Sequence, residues 1–262
     1  MPEGDTVFRA ATNLATALDG EMLVKTDFRV PQLAITDLSG RRIESVRSRG
    51  KHLLMDLGDH VVHSHLKMEG SWHLYPPGGT WKRPAHQARV VLHTADRVAV
   101  GFSLGVLEVW TAEEATTALD YLGPDLLGPD WDAERATRAV ASDPDRGVAM
   151  ALLDQRNLAG VGNVYAHELC FIVGLHPEAP VSVVPDVARL VDKAARLLKA
   201  NSLRAMRCTT GDLRSGRELW VYGRSGRPCR RCGTRLLKGE IGEDPLMMRV
   251  SFWCPRCQPA PD

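Results

Sequence analysis

Four of the six cysteines stand as Cys229-x2-Cys232 and Cys254-x2-Cys257, separated by the short segment 233–253. A C-x2-C segment bends the backbone until its two thiols face one point, and two such knuckles complete a tetrahedral set of four sulfurs. Zn²⁺ suits that set, and nearby Arg and Lys side chains offset the negative charge of a tetrathiolate centre. Disulfides are the competing reading, disfavoured in a chain without a secretion signal, and a redox C-x2-C would be a single motif beside a helix. Because all four ligands are sulfur, no position is left open for chemistry, so one structural zinc is expected. It would stabilise a hairpin too small to fold unaided. Cys170 and Cys208 lie in apolar, helix-like surroundings and read as small core residues.

Charge is distributed as unevenly as the cysteines. The 262 residues carry 33 Lys+Arg against 32 Asp+Glu, a formal net charge of +1. Residues 204–257 alone hold twelve basic and five acidic residues. A concentrated basic end suits a polyanion, although a solvated charged face is the plainer reading. With 44% hydrophobic and 25% charged residues, the composition excludes disordered and fibrous classes. No apolar run reaches the ~18–20 residues of a membrane span, and the N-terminus lacks a basic-then-apolar signal segment. A cytoplasmic chain without membrane association is expected.

Hydrophobic periodicity divides the chain. Val7, Ala11, Leu14 and Leu18 predict an amphipathic helix over 3–19, closed by Gly20. From about 21 to 112 short alternating runs predominate: His52–Leu57, Val61–Met68, Arg89–His93, Val98–Phe102 and Val106–Trp110. They predict a β-sandwich or barrel-like domain. The stretch 123–130, GPDLLGPD, reads as a linker because Gly-Pro pairs interrupt regular structure. Helical patterns follow at 132–141, 146–155, 163–172 and 186–200, then short strands and turns around the cysteines. The expected class is α+β and multidomain: an N-terminal helix plus β-sandwich (1–122), the linker (123–130), a helical domain (131–220) and a four-cysteine hairpin (221–258).

Two further features carry chemistry. In DQRNLAGVGNVYAHE, residues 154–168, Gly160 and Gly162 separate two helical patterns and Asn163 opens the second. Backbone N–H groups at a helix N-terminus beside an amide donor can bind an anion, and the glycines permit close approach of a phosphate. An ordinary N-cap in a tight turn explains the same residues. At the other end the chain begins Met1-Pro2-Glu3-Gly4. Removal of Met1 would leave Pro2 as a secondary α-amine, substantially neutral near pH 8 and nucleophilic. Attack on an aldehyde-like carbon gives an iminium, an electron sink for eliminations, and Glu3 is placed to move protons. Plain helix-start chemistry also accounts for a Pro-Glu pair. So does the N-terminal-proline base of a tautomerase.

Taken together, PEG at Pro2, SRGKHLL (48–54), HSHLKMEGSW (63–72), LGPDLL (122–127), LLDQRNLAGVGNVYAHE (152–168) and VYGRSGRPCRRCG…RVSFWCPRCQ (221–258) resemble the formamidopyrimidine-DNA glycosylase / endonuclease VIII family of base-excision repair enzymes. The resemblance runs through nearly the whole chain. It implies a helix-two-turn-helix in the helical domain, a zinc-finger β-hairpin bearing Cys229, Cys232, Cys254 and Cys257, damaged DNA as partner, and a monomer of the bacterial cytoplasm or nucleoid. It also implies a bifunctional glycosylase/lyase in which Pro2 is the nucleophile, Glu3 the general acid/base, and Lys51 part of the catalytic machinery. Lys51, His65, Asn163, Tyr222 and Arg249 match phosphate-gripping positions, and Met68 matches a residue that fills the space left by a flipped base. Considered singly, Lys51 is a strand-end lysine, His65 a satisfied strand histidine, Tyr222 a core aromatic and Arg249 a residue of a solvated hairpin.

Departures from the 8-oxoguanine-specific pattern point to the endonuclease VIII branch and oxidised pyrimidines. The start reads PEGDT, the segment TTGDLRSGRELW (209–220) is short, and the turn GFSLGVLEVW (101–110) lacks the Arg and Phe that would accompany Met68. Leu104 is the candidate substitute filler. Without the usual wedge, duplex, bubble and single-stranded DNA all stay open as substrates. A non-catalytic, zinc-dependent damaged-DNA-binding protein is the alternative: it needs Asn163, Arg249 and the cysteines but neither Pro2 nor Glu3.

Overall fold

The computed structural model describes residues 2–261. The chain forms two compact units, Met1–Asp120 and Tyr121–Asp262. In the first, α1 (Gly4–Leu18) precedes eight strands: β1 (Lys25–Phe28), β2 (Ser45–Arg49), β3 (His52–Asp56), β4 (His60–His65), β5 (Ser71–Tyr75), β6 (Ala88–His93), β7 (Val98–Phe102) and β8 (Val106–Thr111). They make two antiparallel four-stranded sheets, ordered β1-β6-β7-β5 and β2-β3-β4-β8. The apolar stripe of α1, Val7, Leu14 and Leu18, packs with Leu53 and Met55 of one sheet and Val90 and Leu92 of the other, forming the main core. The alternation along β3, β4 and β8 turns His52, His63, His65 and Trp110 to the opposite face of the second sheet, together with the aliphatic Leu54, Val61 and Val106.

Strands β1, β2 and β5 are weak in the sequence. Lys25–Phe28 and Ser45–Arg49 are largely polar, and pairing to β6 and β3 holds them in the sheets. Strand β4 ends at His65 rather than running on to Met68, because the chain turns back to form Gly70 N–H to Leu66 carbonyl at 2.9 Å. A short helix α2 (Ala112–Thr117), absent from the periodicity reading, starts in a capping box in which Thr111 and Glu114 satisfy each other's backbone N–H.

The second unit contains α3 (Ala133–Ala141), α4 (Val148–Leu153), α5 (Asn163–Val173), α6 (Val187–Asn201), β9 (Leu237–Ile241) and β10 (Arg249–Trp253). Asp132 and Asp186 cap α3 and α6 by accepting from the backbone N–H groups of Arg135 and Arg189. Helix α5 is buried nearly all round and is the hub of the unit, touching α4, α6 and β10. The stretch 123–130 lies within this unit. Gly123 N–H reaches the Gln155 carbonyl at 2.8 Å and Leu126 N–H that of Ala159 at 3.3 Å, so its Gly-Pro pairs shape a packed turn. Among the described residues, no helix is long and apolar enough to cross a membrane.

Candidate functional site

Each unit gathers part of the residue set singled out above. In the first, Arg49 ends β2 and pairs with His52, which opens β3, the two being joined by the two-residue turn Gly50-Lys51. Gly50 sits at φ 57°, the first turn position that a type II′ hairpin reserves for glycine. The turn therefore places Lys51 at the tip of the hairpin. His65 pairs directly across from His52, one residue from Lys51, so strand register brings Lys51 and His65 to the same edge. The Nδ1 of His65 accepts the backbone N–H of Lys67 at 2.9 Å. Neutral His65 thus carries its proton on Nε2, as a donor. Burial, then Lys67 and Lys51, pushes its pKa down to about 4, so His65 donates without being charged. Lys67 holds φ 51°, uncommon for a residue with a side chain, and Met68 beyond it is 63% exposed.

Glu3 is fully buried at the head of α1, where its carbonyl accepts from Thr6 and Val7, while Pro2 beside it is half-buried. The expected removal of Met1 concerns a residue outside the described ones. Leu104, the candidate substitute filler, is corrected by the structure. It is only 8% exposed and packs in the main core, from the short loop between β7 and β8.

In the second unit, Asn163, Tyr222 and Arg249 surround one seam between α5 and β10. The Asn163 amide donates to the Val250 carbonyl at 2.7 Å, which ties the helix N-terminus to the residue after Arg249. Asn163 is 3% exposed and its Oδ1 is buried without a hydrogen-bond partner. One turn further on, His167 donates from Nδ1 to the Asn163 carbonyl at 2.7 Å and accepts at Nε2 from the Ser251 hydroxyl at 2.9 Å. Burial pushes its pKa down to about 4. Tyr222 packs against Phe252 with ring centroids 4.9 Å apart, and Arg249 is exposed at the start of β10.

Sequence reasoning passed over three residues here. His167 and Ser251 make the seam. Glu168, fully buried on α5, accepts from the backbone N–H groups of Trp220, Val221 and Tyr222 at 2.7, 2.8 and 2.9 Å, and from the Thr209 hydroxyl. This carboxylate fixes the segment that carries Tyr222. Its signal in the sequence was a His-Glu pair in the middle of an otherwise apolar helix.

The four cysteine sulfurs lie within 4.8 Å of one another. Cys229 and Cys254 also accept backbone N–H groups, from Arg231 at 3.4 Å and Cys257 at 3.5 Å, as knuckle geometry requires. Four convergent thiols with no nitrogen or oxygen competitor fit a tetrahedral thiolate-binding ion such as zinc. Much of the basic end proves structural: Arg214 and Arg217 pair with Asp212, Arg224 and Arg230 donate to backbone carbonyls, and Arg231 lies 4.4 Å over the Phe171 ring.

Comparison with known proteins agrees with this layout. The model of the formamidopyrimidine-DNA glycosylase N-terminal domain matches residues 1–103 and that of its H2TH domain residues 122–210. The DNA-(apurinic or apyrimidinic site) lyase Nei2 of Mycolicibacterium smegmatis is 52% identical over 99% of this chain and 100% of its own length. A probable endonuclease 8 2 of Streptomyces coelicolor is 53% identical over 100% of this chain and 95% of its own. In fold, the chain is similar to Lactococcus lactis Fpg solved with oxidised-pyrimidine-containing DNA, with a TM-score of 0.82 at 23% identity over 99% of this chain and 100% of that one. The chain belongs to the formamidopyrimidine-DNA glycosylase / endonuclease VIII family.

Proposed function

We propose that this protein is a bifunctional DNA glycosylase and AP lyase of base-excision repair, acting on oxidised pyrimidines. The observation that carries the reading is full-length likeness to a relative named as an AP lyase, with Glu3 buried directly beside Pro2. The Pro2 amine attacks C1′ of the damaged nucleotide, the glycosidic bond breaks, and the base leaves with a proton. Glu3 protonates the opening sugar oxygen, and the amine nitrogen loses its own proton to give an iminium. Loss of a C2′ proton then expels the 3′ phosphate, and a second elimination expels the 5′ phosphate. Water hydrolyses the iminium and frees Pro2.

Lys51, at the hairpin tip, and His65, a neutral donor, grip phosphate in the first unit. Asn163, Tyr222 and Arg249 do so in the second. Zinc held by Cys229, Cys232, Cys254 and Cys257 supplies structure alone, keeping Arg249 on its strand. Met68 is the one exposed bulky residue proposed for the space behind a flipped base. With Leu104 in the core and no second wedge, bubble or single-stranded lesions, whose bases are already unpaired, are favoured over duplex ones.

Borohydride trapping on an abasic-site oligonucleotide tests the mechanism. Protein lacking Met1 by intact mass should form a covalent adduct, and Pro2→Gly should form at least tenfold less. Undiminished trapping by Pro2→Gly overturns the role of Pro2. Salt-sensitive binding without any adduct leaves the non-catalytic damaged-DNA-binding alternative.

A further inference from the structure

The outward face of the β2-β3-β4-β8 sheet carries a column of rings, of which the proposed chemistry uses only His65. His63 of β4 stacks on Trp110 of β8 with centroids 4.1 Å apart, and on His52 of β3 at 5.1 Å. His52 in turn meets the edge of His65 at 5.1 Å. Hydrogen bonds run along the column: His63 Nδ1 lies 2.9 Å from a carboxylate oxygen of Glu108, and His63 Nε2 lies 2.8 Å from His52 Nδ1.

The proton positions follow from one end. A carboxylate only accepts, so the proton of neutral His63 sits on Nδ1 and its Nε2 is a lone pair. That lone pair requires a donor, so His52 carries its proton on Nδ1 and keeps Nε2 as an acceptor. With the opposite tautomer of His52, two lone pairs would face each other at 2.8 Å. Burial and the neighbouring His63, His65, Lys67 and Lys51 push the His52 pKa down to about 3, which keeps the ring neutral.

We propose that Glu108, acting through His63, fixes the proton of His52 and, through the edge contact of the His52 ring with His65, orients the His65 ring beside Lys51 as a phosphate-gripping pair. The inference rests on the phosphate-gripping reading of those two residues. Glu108, His63 and His52 are positioning residues: they set a tautomer and a ring orientation behind the groups that touch the DNA. The relay spans three strands, linking residues 52, 63 and 108, and acts before any substrate arrives.

Nitrogen-15 histidine NMR of the free protein reads the tautomers directly. His52 and His63 should carry Nδ1–H, and Glu108→Ala should convert both to a tautomer mixture. His52 protonated at Nε2 in the wild type overturns the relay. Steady-state cleavage of an abasic-site oligonucleotide reads its use: KM should rise about tenfold in Glu108→Ala, the scale of a lost hydrogen bond to a charged group, with kcat within twofold. Glu108→Gln, which keeps an acceptor for His63, should restore KM. His63→Phe, which keeps the stack on Trp110 but cannot relay, should match Glu108→Ala. Equal KM in wild type, Glu108→Ala and His63→Phe overturns the proposal. Absence of cleavage by the wild type would instead sink the enzymatic reading, and the tautomers of the free protein would still decide the relay.

Discussion

The two units place their site residues by different means. His65 sits on a continuous strand ladder and Lys51 in the turn that closes it, so backbone pairing and register set where each lies. Asn163, Tyr222 and Arg249 are held by individual side chains, namely Asn163 on the Val250 carbonyl, His167 on Ser251 and Glu168 on three backbone N–H groups. The β9-β10 hairpin has only two strands and a small core of its own, so it needs the cysteine cluster and α5 to hold it. A ladder spreads its stability over many weak contacts. A seam concentrates it in a few strong ones, and single substitutions should therefore separate the two regions.

The largest effect is expected from the cysteines. In small zinc modules the metal-binding free energy, about 10–16 kcal/mol, is the folding free energy of the module. Cys254→Ser should abolish stoichiometric zinc by metal analysis and expose residues 220–258 to protease, while the first unit keeps its resistance. Retained protection would show that α5 alone supports the hairpin.

Glu168→Ala comes next. It leaves the N–H groups of Trp220, Val221 and Tyr222 and the Thr209 hydroxyl without their buried acceptor. A loss of about 3–5 kcal/mol is expected by denaturant unfolding of the second unit. A cost below about 1 kcal/mol would mean that water or a rearranged turn replaces the carboxylate.

His167 gives a pH signature. In the folded protein it stays neutral down to about 4, whereas in the unfolded chain it binds a proton near its ordinary 6.5. Unfolding therefore takes up a proton, and its contribution of about 3 kcal/mol, present above pH 6.5, is lost as pH falls towards 4. The wild-type minus His167→Gln difference in stability should shrink across that window. A difference that is flat with pH removes His167 from the seam.

The smallest effect on stability belongs to Met68→Ala, because the side chain is exposed. Surface substitutions of this kind stay within about 0.5 kcal/mol. Its effect should appear in substrate choice, with cleavage of duplex lesions falling further than cleavage of bubble lesions. Equal losses would mean that Met68 does not fill the space left by the base.

How much of this was legible in the sequence depended on distance along the chain. The cysteine pairs were legible because C-x2-C geometry is decided locally, within a single knuckle. The start of α5 at Asn163 and the place of Lys51 beyond a strand end were legible for the same local reason. The apolar run Val61–Met68 overreached: the strand stops at His65 and Met68 lies beyond it. Leu104 misled because the pattern marks a residue as bulky and apolar without saying which way it turns.

The sequence by itself determined the α+β class, the four thiols that converge on one point and the family to which their order belongs, since each rests on short-range spacing or on the succession of motifs. Only the tertiary structure decided that Glu108 meets His63 across 45 positions, that Glu168 cradles the distant backbone of Trp220, Val221 and Tyr222, and that many arginines of the basic end serve the fold. Those contacts depend on strand register and on packing around α5, where a shift of one residue would reverse every facing side chain and no local pattern records the partner.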